Sequence, residues 1–280
     1  MTLVNWLVVY LFLFHIASCK QRPEPKTLNI PALSISHAAD QEPKEEYRTI
    51  HVFVALCDNL YQGIVPVPVS IGNGQDPANN LYWGCSYGIK TYFSRKSGDW
   101  ERVTIRKDTG MILETILFRH KKEKVLMLAE AYDGKYIKQT TIDFIKAANN
   151  ELKKYVIYKS DTIRFGDRAD VISYIGHDGL MDFSLPLPKK SADDYSKQAI
   201  ILACYSRNFF TPHLKNTRAT PLVWTTGLMA PEAYTLYDAL SSWIRNDSQD
   251  SIRLAAAGAY SKYQKCSMKA ARNLLVTGWE

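Results

Sequence analysis

The stretch VISYIGHDGLMDF, residues 171–183, runs five strand-forming residues into a His set between two glycines. A second stretch, QAIILACYSRNFF at 198–210, does the same with a Cys. Short runs of consecutive apolar residues that stop at a turn suit strands buried on both faces, the habit of a parallel sheet. In such sheets the functional groups gather just beyond the carboxyl ends of the strands. If the two strands are near neighbours, His177 and Cys204 share one rim.

The surrounding chain carries the same pattern outward. TIHVFVALCDN, 49–59, is a third run of this kind and stops at Asp58-Asn59. The Gly/Asn/Asp/Pro cluster in IGNGQDPANN, 71–80, predicts a loop, followed by a helix through Trp83 and Tyr92. ILETILFRHKKEKVLMLAEAYDG, 112–134, predicts two strands around a charged turn, with Asp133-Gly134 as a further turn. YIKQTTIDFIKAANNEL, 136–152, has the spacing of an amphipathic helix, with Ile137, Ile142, Phe144 and Ile145 toward its apolar side. A helix near 206–214, a strand over PLVWTTG and a helix opened by Pro231 follow. A last helix is expected from Ser251 to Leu275, interrupted near Tyr260. Strands alternating with helices define an α/β domain with a mainly parallel, helix-covered sheet, a single domain over 47–280.

Composition narrows the function classes. The chain has 280 residues, 46% of them hydrophobic and 12% aromatic, which is globular. Its net charge of +7 is dispersed, and the Lys pairs at 121–122, 153–154 and 189–190 sit among acidic or apolar neighbours. They are read as solvated surface, which excludes a nucleic-acid footprint. No Gly-Lys-Ser/Thr ending follows the 71–80 loop, so no phosphate-binding loop and no nucleotide cofactor is expected.

The first 18 residues carry no charged side chain and are followed by Cys19 and the polar run KQRPEPK. This is the make-up of an export signal, and residues 19–46, free of helical or strand period, are that of a polar tether. Ile16-Ala17-Ser18-Cys19 resembles the lipobox of bacterial lipoproteins. That resemblance implies a signal peptide over 1–18, lipidation at Cys19, a membrane partner through the lipid, and a place in the cell envelope outside the cytoplasmic membrane. The other cysteines, Cys57, Cys85, Cys204 and Cys266, have no CxxC or Cys/His metal spacing. Cys57 and Cys204 end apolar strands, where a lone Cys serves as a small hydrophobe or a reactive thiol, so neither disulfides nor a metal is expected.

A Cys and a His on one rim are the parts of a nucleophile and its base. The thiolate attacks a carbonyl carbon while the imidazole holds the proton and later delivers it to the leaving amine. A helix starting near Ser206 would favour the thiolate, and Ser206 is read as its N-cap. Backbone N–H groups of Gly179 and Cys204 are the expected donors to the oxyanion. His51, inside a strand, and His120, in a charged turn, are read as structural. His177-Asp178 with Asp182 ends a strand and lacks the helix-borne ligands of metal-dependent phosphohydrolases.

A hydrophobic block ending in His-Asp-Gly, then one ending in Ala-Cys, resembles the caspase-like cysteine peptidases, the group of caspases, legumain and gingipains. The resemblance covers the sheet core from about 49 to 245 in element order, with the two blocks as its specific motifs. It implies a three-layer α/β/α sandwich, His177 as general base, Cys204 as nucleophile, and a peptide or protein substrate. Asp58 or Arg207 would then line the cleft and select a basic or an acidic side chain, an alternative the sequence leaves open. Asp178, Thr225, Thr226 and Glu232 are expected at the same cleft. The competing expectation is an inactive module of this fold that holds a peptide or an envelope partner.

Overall fold

The computed structural model describes residues 47–96 and 98–279. The expected signal peptide, Cys19 and the tether lie outside the described residues. Among the described residues no helix is long and apolar enough to cross a membrane.

Strand β1 (Arg48–Ala55) is the central strand, and a long turn-rich segment leads from it to a short helix α1 (Ile89–Phe93). β2 (Trp100–Lys107), β3 (Ile112–His120) and β4 (Val125–Tyr132) form an antiparallel meander that brings β4 back beside β1. Helix α2 (Ile137–Ala148), a separate hairpin of β5 (Lys153–Tyr158) and β6 (Asp161–Gly166), and β7 (Val171–Ile175) come next. β8 (Lys197–Leu202), α3 (Ser206–Leu214) and β9 (Ala219–Thr225) complete the parallel part. Helices α4 (Ala233–Ile244), α5 (Gln249–Gln264) and α6 (Met268–Leu274) lead to β10 (Leu275–Val276) on the far edge.

The eight-stranded sheet has the order β10-β9-β8-β7-β1-β4-β3-β2. Its middle five strands are parallel, and antiparallel strands close both edges. β1 shows why this is an α/β protein. Its even residues Ile50, Val52 and Val54 pack with α1, α4 and α5, whereas Phe53 and Ala55 pack with α2 and α3 on the opposite face. A strand covered on both sides has no polar face, so its sequence reads as an unbroken apolar run. Truncating Phe53, fully buried against Phe144, would cost about 3–5 kcal/mol.

Several expectations need correction. The segment around Trp83 is a series of turns held by Asn80, and only Ile89–Phe93 is helical. α4 starts at Ala233 with Glu232 in the capping position, so Pro231 stands before the helix. The last helix breaks at Lys265, in left-handed backbone at φ 53°, and not at Tyr260. The β5–β6 hairpin covers Leu117, Leu126 and Leu128 in a cluster of its own. Within it Lys154 is no surface charge, because it reaches the buried Glu130 at 2.5 Å.

Candidate active site

β7 and β8 are parallel neighbours with Ile175 opposite Leu202. His177 and Cys204 are each the second residue past that pair, on strands about 4.8 Å apart. Gly176 makes the exit from β7 possible. Its φ of 138° disfavours a side chain, and a Cβ there would come within 2.6 Å of the Ala55 carbonyl oxygen. On β8 the exit is Tyr205, which adopts left-handed backbone at φ 50° and so turns the chain from strand into α3 directly after the Cys.

The turn is clamped from behind by two hydroxyls. Ser206 Oγ donates to the Ile201 carbonyl, the Ser206 N–H donates to Thr225 Oγ1, and the Thr225 N–H donates to Ser206 Oγ. Thr225 also binds the Ala203 carbonyl. Ser206 is therefore the first residue of α3 and part of this clamp, not its cap. Thr225, fully buried, supports the turn from below and does not reach the cleft.

His177 is 5% exposed, and its Nε2 lies 2.8 Å from Asp182 Oδ2. Asp182 comes back toward the ring over a single 3-10 turn, Gly179–Met181, and its carboxylate also accepts the Gly63 N–H at 3.0 Å. In the tautomer that donates Nε2–H to Asp182, the lone pair is on Nδ1, the arrangement of a base held by a carboxylate. The backbone is steadied by Tyr174, whose hydroxyl donates to the His177 carbonyl at 2.8 Å. Asp182 is the functional candidate the sequence reading set aside. It lay within the opening stretch, five residues past the His, and only the tightness of the turn brings it back.

Among the described residues the Cys204 thiol hydrogen bonds to Met229, not to His177. The Met229 N–H donates to Sγ at 3.4 Å, and Sγ donates to the Met229 carbonyl at 3.6 Å. Burial pushes the thiol pKa up, the Met229 amide opposes this, and Asp178 adds to it. Burial thus works toward the thiol, against the thiolate that the start of α3 was expected to favour.

Asp178 is fully buried. Its Oδ1 accepts the Leu180 N–H at 3.0 Å, and its Oδ2 has no partner among the described residues. Burial raises its pKa to about 7, the Leu180 amide working against this and the Asp182 charge for it. The expected oxyanion donor Gly179 opens the 3-10 turn as a buried residue and is not part of the cavity wall. The N–H of Cys204 donates to no acceptor among the described residues.

His177 and Cys204 line one cavity of about 300 Å³, together with Gly63, Ile64, Val65, Tyr82, Met181, Leu228 and Met229. The other expected cleft residues are elsewhere. Asp58, 1% exposed, caps the Leu60 and Tyr61 N–H groups with one oxygen and binds Gln75 with the other. Arg207 sits in the first turn of α3, outside the cavity wall. Thr226 is tied to the end of α6 through the Asn273 carbonyl at 2.7 Å. Glu232 accepts from Tyr234 and Gln264, and burial raises its pKa. Cys57, Cys85, Cys204 and Cys266 are free thiols. No protein-family model, curated protein or solved structure matches the chain.

Proposed function

We propose that the chain is a caspase-like cysteine peptidase or related amide hydrolase, with His177 as base and Cys204 as nucleophile, held in the cell envelope by a lipid on Cys19. The observation that carries this reading is the shared register: His and Cys leave adjacent parallel strands at one level and open into one cavity. Support also comes from the carboxylate behind the imidazole, which leaves Nδ1 as the free acceptor.

In the reaction the Cys204 proton passes to His177 Nδ1, and the sulfur adds to the substrate carbonyl carbon. The Cys204 N–H receives the oxyanion. His177 then returns the proton to the departing amine, the C–N bond breaks, and a thioester forms on Cys204. Water adds to the thioester with His177 as base, releasing the acid and restoring the thiol. Asp182 is a positioning residue here, acting through the imidazole.

A second reading, an inactive module that holds a peptide, draws on the thiol's hydrogen bonds to Met229 in place of His177. A thiol-reactive peptide probe separates the two. The peptidase reading expects Cys204→Ala to abolish labelling and His177→Ala to slow it by about 10²–10⁴-fold with little change in melting temperature. Labelling that is equal in wild type and His177→Ala would leave only the module. In the same preparations Cys19→Ser should move the protein out of the membrane fraction, and retention there would remove the lipid from the proposal.

A further inference from the structure

We propose that the cavity over the dyad receives an apolar side chain, so that the substrate is a peptide cut after a residue of the size of Met or Leu. This rests on the peptidase reading and gives it a substrate class.

The walls come from three separate segments: Ile64 and Val65 from the loop after β1, Met181 from the turn after β7, and Leu228 and Met229 from the loop after β9. Among the described residues no Asp, Glu, Lys or Arg lines it. Tyr82, 8% exposed, adds an aromatic wall. Val65 at 88%, Leu228 at 68% and Met181 at 40% exposure form an apolar mouth. Apolar side chains left in contact with water around a reactive pair mark a binding surface.

The charged alternatives lack a partner in the cavity. Asp58 faces its own turn, Arg207 stands outside the wall, and the carboxylate beside the cavity, Asp182, is already shared by His177 and the Gly63 N–H, so a charged side chain entering here would be desolvated with no uncommitted opposite charge. The volume of about 300 Å³ lies at the small end of ligand pockets, enough for one side chain and the adjoining carbonyl. Gly63 keeps the wall in place, since its N–H shares the Asp182 carboxylate with His177. Apolar contact and the orientation of the base thus meet in one loop.

The test uses peptidyl vinyl sulfones that differ only at the residue beside the reactive group: norleucine, leucine, alanine, lysine, arginine and aspartate. The rate of Cys204 modification in the full chain is read by mass spectrometry. Norleucine and leucine are expected to exceed alanine by about 10–100-fold and each charged residue by at least about 100-fold. Leu228→Asp, at an exposed site that folding tolerates, should slow the norleucine probe and speed the lysine probe. A wild-type preference for a charged residue overturns the apolar pocket and leaves the hydrolase standing. If iodoacetamide alkylates Cys204 but no peptidyl probe does, the peptidase reading falls. The pocket is then decided by fluorescence polarisation with labelled peptide amides of the same series, where norleucine must bind at least about 10-fold better than lysine and equal binding refutes it.

Discussion

Two histidines, one within β1 and one just past the neighbouring β7, make the same bond in different surroundings. His51 Nε2 lies 2.9 Å from Glu130 Oε2, and His177 Nε2 lies 2.8 Å from Asp182 Oδ2. His51 is in the middle of β1, fully buried against Phe53 and Phe165, and Glu130 carries Lys154 on its other oxygen. Burial lowers the His51 pKa against the pull of Glu130, so the ring stays neutral inside a closed cluster. His177 is two residues past a strand end, and its carboxylate partner is 30% exposed beside a cavity that also holds a thiol. What separates a structural pair from a candidate catalytic one is the position on the strand, since the carboxyl-end rim sets the imidazole at a cavity and the middle of β1 does not.

The sharpest break of this comparison is Glu130→Gln. Burial works to raise the Glu130 pKa, but Lys154 and His51 together outweigh it and hold the group at about 2. Removing the charge leaves Lys154 unpaired beneath the hairpin, and the expected loss is about 3–5 kcal/mol in urea unfolding at pH 7. Because the folded pKa is depressed, the wild-type contribution is present above the ordinary Glu value of 4.5 and is lost as pH falls through 2. The acid limb of the variant's stability curve should therefore be flatter, while its Cys204 labelling rate stays that of the wild type. A loss under 1 kcal/mol would show that the cluster is not a closed ion pair.

Asp178→Asn tests the other region. Burial has raised this group, so its stabilising, protonated state is complete below the ordinary Asp value of 3.8 and is lost as pH rises through about 7. At roughly 1.4 kcal/mol per pH unit, wild type should lose about 3 kcal/mol between pH 5 and pH 8 that the variant does not lose. Asn keeps the acceptor for the Leu180 N–H, so any cost of its amide is a constant offset. Stability curves that run parallel across this range would mean that Asp178 is ionised throughout.

The central strands were legible because burial on both faces leaves an unbroken apolar run, as in β1, β7 and β8, and the rim rule then joined His177 to Cys204. The β5–β6 hairpin was not legible. Its strands carry Lys153, Lys154 and Arg164, and its turn puts Lys159 and Ser160 in left-handed backbone without the Gly or Asn that announces such a turn. Lys154 looked solvated because its partner lies on a distant strand. At the site, charge drew attention to Asp58 and Arg207, whereas the cavity is walled by Val65, Met181 and Leu228, apolar residues that a sequence assigns to the core. Asp182 was hidden by a single 3-10 turn, Gly179–Met181, that brings a residue five positions on back to the His177 ring.

The smallest effect concerns the backbone after the Cys. His51 lies in regular strand, but the exit at Cys204 is made by Tyr205 at φ 50° and ψ 28°, with its N–H donated to the Gly227 carbonyl at 2.9 Å. Left-handed backbone costs an L-residue roughly 1–2 kcal/mol, a cost glycine avoids. Comparing Tyr205→Gly with Tyr205→Ala removes the aromatic ring from both and leaves the backbone term. Glycine should come out more stable by about 1 kcal/mol, reversing the usual order in which its freedom in the unfolded chain makes it the weaker choice. If alanine is the more stable, the turn is not left-handed in solution. If glycine is more stable but modifies more slowly at Cys204, the strained turn is what holds the sulfur toward the cavity, and the rim differs from the His51 cluster in its backbone as well as in its access to solvent.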